Sequence, residues 1–161
     1  MHIVVHNSLA DIRATQWNAL LATNNPFMRH EFLFGLELTN CVSPDCGWES
    51  AHIAIYQDES RQQLIAAMPC YIKSHSYGEY IFDWSWADAH HRHGLEYYPK
   101  LSNAVPFTPA TGERLLVSAS HNKGKLESAL LSRALKLAES RKLSSFPVSY
   151  THLTLPTILL V

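Results

Sequence analysis

Residues Ala51 to Ile72, AHIAIYQDESRQQLIAAMPCYI, decide the fold. Ile53 and Ile55 alternate with Ala54 and Tyr56, the polar run Gln57 to Arg61 follows, and Leu64 to Ile72 is apolar. Alternation at every second residue is the period of a strand, and a polar turn between two such runs joins antiparallel neighbours. The stretch predicts a hairpin whose second arm runs on toward Tyr71.

Upstream, Ile3, Val4 and Val5 between His2 and His6 predict a short strand. Ser8 with Asp11 three residues on has the form of a capping box, and Leu9, Ile12, Trp17, Leu20 and Leu21 predict a helix to about Ala22. Asn24, Asn25 and Pro26 break it, because proline donates no hydrogen bond and restricts the residue before it. A second helix is predicted from Arg29 to Thr39 with Phe32, Leu33 and Leu36 inward, and Pro44 to Gly47 mark a loop.

Downstream, Tyr71 to Lys100 crowds aromatic rings, carboxylates, imidazoles and cations together. A segment built only to fill a core has little use for that mixture, so it is the candidate site. Tyr77 to Trp86 is predicted to be extended, with Tyr80, Phe82, Trp84 and Trp86 on one face and Glu79, Ile81, Asp83 and Ser85 on the other. Asp88, His90, His91 and His93 have ligand chemistry but none of the spacings of a metal site, so no metal is expected. Cys41, Cys46 and Cys70 read as reduced thiols, Cys70 lying in an apolar run.

Pro99, Pro106 and Pro109 make the following span a stiff, extended connection that holds Tyr98 and Lys100. Leu115 to Val117 is a short strand, Ser118 to Gly124 a polar loop, and Lys125 to Lys142 an amphipathic helix. Leu126, Leu130, Ala134, Leu137 and Ala138 form its core face. Strand, polar loop and helix amino terminus together suit an anion, through Ser118, Asn122 and Gly124.

At 161 residues the chain fits one domain, and its net charge of -1 without a basic run offers no footprint for duplex DNA. It has no leader-like segment and no run of roughly eighteen apolar residues, so a cytoplasmic protein without a membrane span is expected.

The run Tyr71-Ile72-Lys73-Ser74-His75-Ser76-Tyr77-Gly78-Glu79-Tyr80-Ile81-Phe82-Asp83-Trp84 continues in kind through Arg92, His93, Gly94 and Tyr97 to Lys100. With Val105 to Pro109 and Arg114 to Leu116 it resembles a bacterial family of N-acyltransferases labelled FemAB-like or peptidoglycan biosynthesis, placed in the GNAT superfamily. Asn25, Pro26, Phe27, His30, Phe32 and Leu33, with Leu36 and Glu37, resemble that family's first helices, and the likeness spans about 26–143. It implies an α/β (α+β) fold, GNAT-like, with a mixed, largely antiparallel sheet flanked by helices and incomplete at the C-terminus. It also implies an acyl-CoA or aminoacyl-tRNA donor, with tRNA a partner of the full-length protein, and a small-molecule, peptide or glycan-precursor amine as acceptor. The superfamily's donor loop is met at its first glycine alone, Gly124, in the run His121 to Leu126.

From Ser144 to Val161 there is no Asp, Glu, Lys or Arg, and Pro147 to Thr157 resembles translated sequencing-adaptor read-through. A partial domain over 1–146 and a non-native tail over 147–161 are expected, which makes the chain a truncated fragment without the strand that completes donor binding.

Acyl transfer to an amine needs a proton acceptor and donors at the carbonyl and leaving group. Asp83, Glu79 or His93 suits the first role, Tyr80 or Tyr98 the second, and Lys100 or Arg92 an anion anchor. Trp84, Trp86 and Asp88 would wall the acceptor pocket. The rival expectation is a binding module without catalysis that recognises a glycan, peptide or protein through the same aromatic and acidic residues.

Overall fold

The computed structural model describes residues 1–81 and 83–151. Among them, strands β1 (His2–His6), β3 (His52–Tyr56), β4 (Leu64–Met68) and β7 (Leu116–Val117) form a sheet in the order β1-β3-β4-β7. A second sheet has the order β2-β5-β6, from Trp48–Ser50, Tyr71–Lys73 and Lys100–Ser102. Strand pairing is antiparallel throughout both. Helices α1 (Ala14–Asn18), α2 (His30–Leu38), α3 (Trp84–Arg92) and α4 (Lys123–Ser140) flank the sheets, so the fold is α+β.

The predicted hairpin is β3 and β4, with Ile53 opposite Met68 and Ala54 opposite Ala67. Its second arm is not one strand to Ile72. It breaks at Pro69 and Cys70, where Ala51 N–H bonds to the Cys70 carbonyl at 2.9 Å, and the same two arms re-pair as β2 and β5 in the second sheet. A proline cannot donate to a ladder, so the sheet changes partner there.

Both faces of the four-stranded sheet are covered, which is why its strands read as apolar runs. α4 packs on one face, its Leu126, Leu130, Ala134, Leu137 and Ala138 meeting Ile53, Ile55, Ile65 and Ala66, all buried. Leu9, Ile12, Trp17, Met28 and Leu33 cover the other face against Ala54, Tyr56, Ala67 and Leu116. Full burial of each such leucine contributes about 1.5–3 kcal/mol.

Three expected elements differ. The predicted first helix is a 3-10 turn at Leu9–Asp11 followed by α1, because Ile12 and Arg13 are extended. Its apolar residues are nonetheless buried as a set, and Ser8 caps Ala10 N–H at 3.0 Å while Asp11 faces His6. Among the described residues of Tyr77 to Trp86 there is no strand: a turn at Tyr77 and Gly78 precedes α3, which begins at Trp84, and Phe82 lies outside the described residues. The proline-stiffened span contains β6.

Beyond α4, the chain runs beside β6. Leu101 N–H and Asn103 N–H donate to the Ser145 and Pro147 carbonyls at 3.0 Å, and Ser149 N–H returns to Asn103 O. Asn103 and Val148 form a parallel bridge. The expected tail is described only through Thr151, and 152–161 lie outside the described residues.

Candidate functional site

The second sheet has two unlike faces. Register places Glu49, Ile72 and Leu101 in one row, and Ile72 and Leu101 join the apolar core with α4. The rows on either side, Trp48–Lys73–Lys100 and Ser50–Tyr71–Ser102, point the other way, because side chains alternate along strands. All six of these residues are buried. A polar layer thus lies inside the molecule.

The segment before α3 closes that layer with two carboxylates. Lys100 Nζ donates to Glu79 Oε2 at 2.9 Å and to Asp83 Oδ2 at 2.6 Å, and Glu79, Asp83 and Lys100 are 4%, 2% and 1% exposed. Tyr98 OH donates to Asp83 Oδ2 at 3.0 Å, and Ser102 Oγ donates to Glu79 Oε1 at 3.1 Å. Burial by itself would raise the Asp83 carboxyl, but the hydrogen bond and charge of Lys100 outweigh it and hold the group below the usual aspartate value. The same pairing outweighs burial at Lys100 and raises its ammonium. Burial and the Asp83 bond push the Tyr98 phenol up, so it stays a donor.

Asp83 also occupies the N-cap of α3, where a carboxylate ordinarily accepts a backbone N–H. It makes no such bond, its Oδ2 being turned to Lys100 and Tyr98. Its Oδ1 is buried and has no hydrogen-bond partner within 3.5 Å among the described residues, the Tyr97 hydroxyl being near enough only to help keep the carboxyl low. Trp48 Nε1 and Tyr71 OH, on the polar face of the sheet, are in the same condition. Uncompensated buried polar atoms cost about 1–3 kcal/mol each, and three belong to one layer.

Two left-handed positions shape the approach. Gly78 has φ +85°, and a Cβ there would meet the Phe107 ring at 2.6 Å, so only glycine fits this turn. Tyr80 takes φ 55° two residues later and turns the chain so that Glu79 points inward while its own ring is exposed. Tyr77, Tyr80, Trp84 and Phe107 line an open cavity of about 380 Å³ over this turn. Toward the carboxyl-terminal end of α3, Ala87, His91, Leu95, Tyr97 and Tyr98 line another of about 480 Å³.

A family model described as peptidoglycan biosynthesis/recognition, FemAB-like, matches residues 8–158. The chain belongs to the FemAB-like family. Membership implies a peptidoglycan-related transferase. Comparison with curated proteins and with solved structures found no match. In this FemAB-like chain, no helix among the described residues is long and apolar enough to cross a membrane.

Of the residues expected at the site, Glu79, Asp83, Tyr98 and Lys100 are brought together. Tyr80, Trp84 and Trp86 are exposed around them, at 57%, 63% and 65%. Asp88 and Arg92 pair with each other one turn apart on the solvent face of α3, and His93 is its exposed C-cap. His90 bonds to the Trp86 carbonyl at 2.9 Å.

On the expected donor side, Asn122 caps α4 by accepting from Lys125 N–H at 2.9 Å, Ser118 Oγ lies 3.0 Å from Ser120 Oγ, and Gly124 is in the first turn. Sequence reasoning missed Arg114 here. Its guanidinium is buried against the carbonyls of Ala110 and Ser149, with no carboxylate in salt-bridge contact among the described residues. Burial lowers it to about 10. With Lys123 it lines a cavity of about 410 Å³ at this end of α4.

Lys73 and Glu37 were also missed as site-building residues. Glu37 accepts from Ser50 Oγ (2.8 Å), His52 Nε2 (2.7 Å), Ser8 Oγ (2.7 Å) and Leu9 N–H (2.9 Å). The polar-apolar-polar triplets Tyr71–Lys73 and Lys100–Ser102 were the available signal, but such a pattern ordinarily marks a solvated face. Cys70 is buried, and burial raises its thiol, so it is no nucleophile at neutral pH.

Proposed function

We propose that this FemAB-like chain transfers an acyl or aminoacyl group to an amine, with the acceptor at the Asp83 cluster and the donor at the β7–α4 end. The observation that carries this reading is the uncompensated Oδ1 of a buried, ionised Asp83. An acceptor ammonium supplies the hydrogen bond that oxygen lacks, and Glu79 adds a second negative charge. Tyr98, kept protonated, donates its one hydrogen to Asp83 in the resting site and would turn that hydrogen to the developing oxyanion or leaving group once an acceptor ammonium takes its place at the carboxylate. Lys100 holds both carboxylates in place.

On the donor side, the α4 amino terminus offers its dipole to the phosphates of an aminoacyl-tRNA or acyl-CoA, and Lys123 and the buried Arg114 add positive charge to a cavity that Glu113 and Glu127 also line, Lys123 pairing with Glu127 at 3.8 Å. Family membership favours aminoacyl-tRNA. Both donors are intracellular metabolites, so the reaction is assigned to the cytoplasm.

The test is transfer from alanyl-tRNA or acetyl-CoA to a cell-wall precursor peptide bearing a free amine. Asp83→Asn is expected to lower turnover by about a hundredfold or more. Turnover unchanged in Asp83→Asn would sink the assignment. A second reading, recognition without catalysis, draws on the exposed Tyr77, Tyr80, Trp84 and Trp86, rings that bind sugars or peptides. Binding of the precursor without turnover from either donor would favour it. We further propose a domain of 1–146 with a non-native tail over 147–161, although the family match reaches 158. The gene sequence past Phe146 tests that boundary.

A further inference from the structure

The buried layer holds one more ionisable group than the reading above uses. Lys73 lies beside Lys100 in register on neighbouring strands, and both enter the layer from the same face. Their ammonium groups have unequal company. Lys100 Nζ has both carboxylates within 2.9 Å. Lys73 Nζ has the Tyr77 carbonyl at 2.9 Å and the Trp48 ring 3.8 Å away.

The charged groups facing Lys73 are Glu79 and Asp83 from the segment before α3, and Lys100 from β6. From β2 it meets the Trp48 ring, and Tyr71 on its own strand stays a neutral phenol because burial raises it. With both lysines charged the layer is neutral: two ammonium groups against two carboxylates. An acceptor ammonium arriving at Asp83 Oδ1 makes three cations against two anions in a volume shielded from water. One proton then has to leave, and the group with the weakest hold on its proton is Lys73. Burial, reinforced by Lys100, already lowers its ammonium to about 8 against the pull of Glu79.

We propose that Lys73 is the exchangeable proton site of the acceptor pocket: an amine substrate binds as its ammonium ion and expels one proton from Lys73 to solvent. The balance is one R–NH3+ bound, one Lys73 –NH3+ converted to –NH2, and one proton released. The neutral Lys73 amine then leaves the layer with two cations against two anions, so the bound ammonium is not opposed by a third positive charge. Lys73 acts through the charge of the layer and is a positioning residue in this account. The proposal rests on the acceptor assignment to Asp83.

The experiment is calorimetric titration of the full chain with n-propylamine hydrochloride at pH 7 in two buffers of different ionisation enthalpy, repeated from pH 6 to 9. About one proton is expected to be released per amine bound at pH 7. Affinity should rise close to tenfold per pH unit below about pH 8 and level off above it. Lys73→Met should bind the amine with no proton release and no pH slope, and Lys73→Arg, a permanent cation, should bind it more weakly than wild type. Amine binding with no proton release overturns the proposal and leaves the acceptor assignment standing. No amine binding at all, in wild type or Lys73→Met, overturns both.

Discussion

Two buried carboxylate networks sit on either side of the bend between the sheets, and they are built to different ends. Glu37 is satisfied: four donors meet its two oxygens, and among them His52 is fixed as the tautomer with hydrogen on Nε2, because its Nδ1 accepts from Cys70 N–H at 3.3 Å. That arrangement ties the 3-10 turn at Leu9, α2, β2 and β3 together. Burial opposes the Glu37 charge, and the His52, Ser8 and Ser50 bonds outweigh it. Asp83 is more deeply buried and is paired with the Lys100 ammonium where Glu37 meets only neutral donors, yet it leaves one oxygen without a partner among the described residues and gives up a helix cap. Glu37 uses its acceptor capacity to hold the fold, whereas Asp83, on the function proposed, keeps some of it for a substrate.

The difference can be broken from either side. Lys100→Met leaves Glu79 and Asp83 as two buried charges without a cation between them, and is expected to cost about 3–5 kcal/mol of stability in urea unfolding. Next come the two carboxylates themselves. Asp83→Asn should remove about two orders of magnitude of transfer activity, whereas Glu37→Gln should cost about 2 kcal/mol of stability and leave activity within a few-fold. Comparable activity losses in the two would erase the distinction.

Lys73 sharpens the comparison through pH. Its folded value, near 8, lies below the ordinary 10.5 of an unfolded lysine. Between those values the unfolded chain binds the proton and the folded one does not, so stability rises with pH, by about 1.4 kcal/mol per unit. The buried Cys70 thiol, raised by burial, gives an opposing slope as it ionises in the unfolded chain, so the Lys73 contribution is read as the difference between wild type and Lys73→Met in thermal melts between about pH 8 and 9.5, a difference expected to grow with pH by about 1.4 kcal/mol per unit. The smallest effect is expected at the exposed Asp88–Arg92 pair on α3, where Asp88→Ala should change stability by under about 0.5 kcal/mol.

Most of the scaffold was legible because its signals are local. The five core-face residues predicted for α4 are its buried residues, and the Ile53/Ile55 alternation gave the hairpin with its correct faces. The site was legible in composition and misread in conformation. Tyr80, Trp84 and Trp86 suggested a strand with an aromatic inner face, but the rings are exposed and the charged Glu79 and Asp83 are buried. Periodicity assigns faces by assuming that apolar side chains go inside, and here the assumption is reversed. Glu37 and His52 gave no signal, being 15 residues apart with their meeting decided by the way α2 packs on the sheet bend.

The sequence by itself determined the α+β class, the hairpin, the carboxyl-terminal amphipathic helix and the kinship of the Tyr71–Lys100 stretch, since each rests on short-range spacing or on the order of residue types. Only the tertiary structure decided that Lys100 would lie between Glu79 and Asp83, that Lys73 would stand beside it with a weaker hold on its proton, and that one buried oxygen of Asp83 would have no partner among the described residues. Those outcomes depend on desolvation and on distances across strands, and neither is fixed until the two sheets have paired.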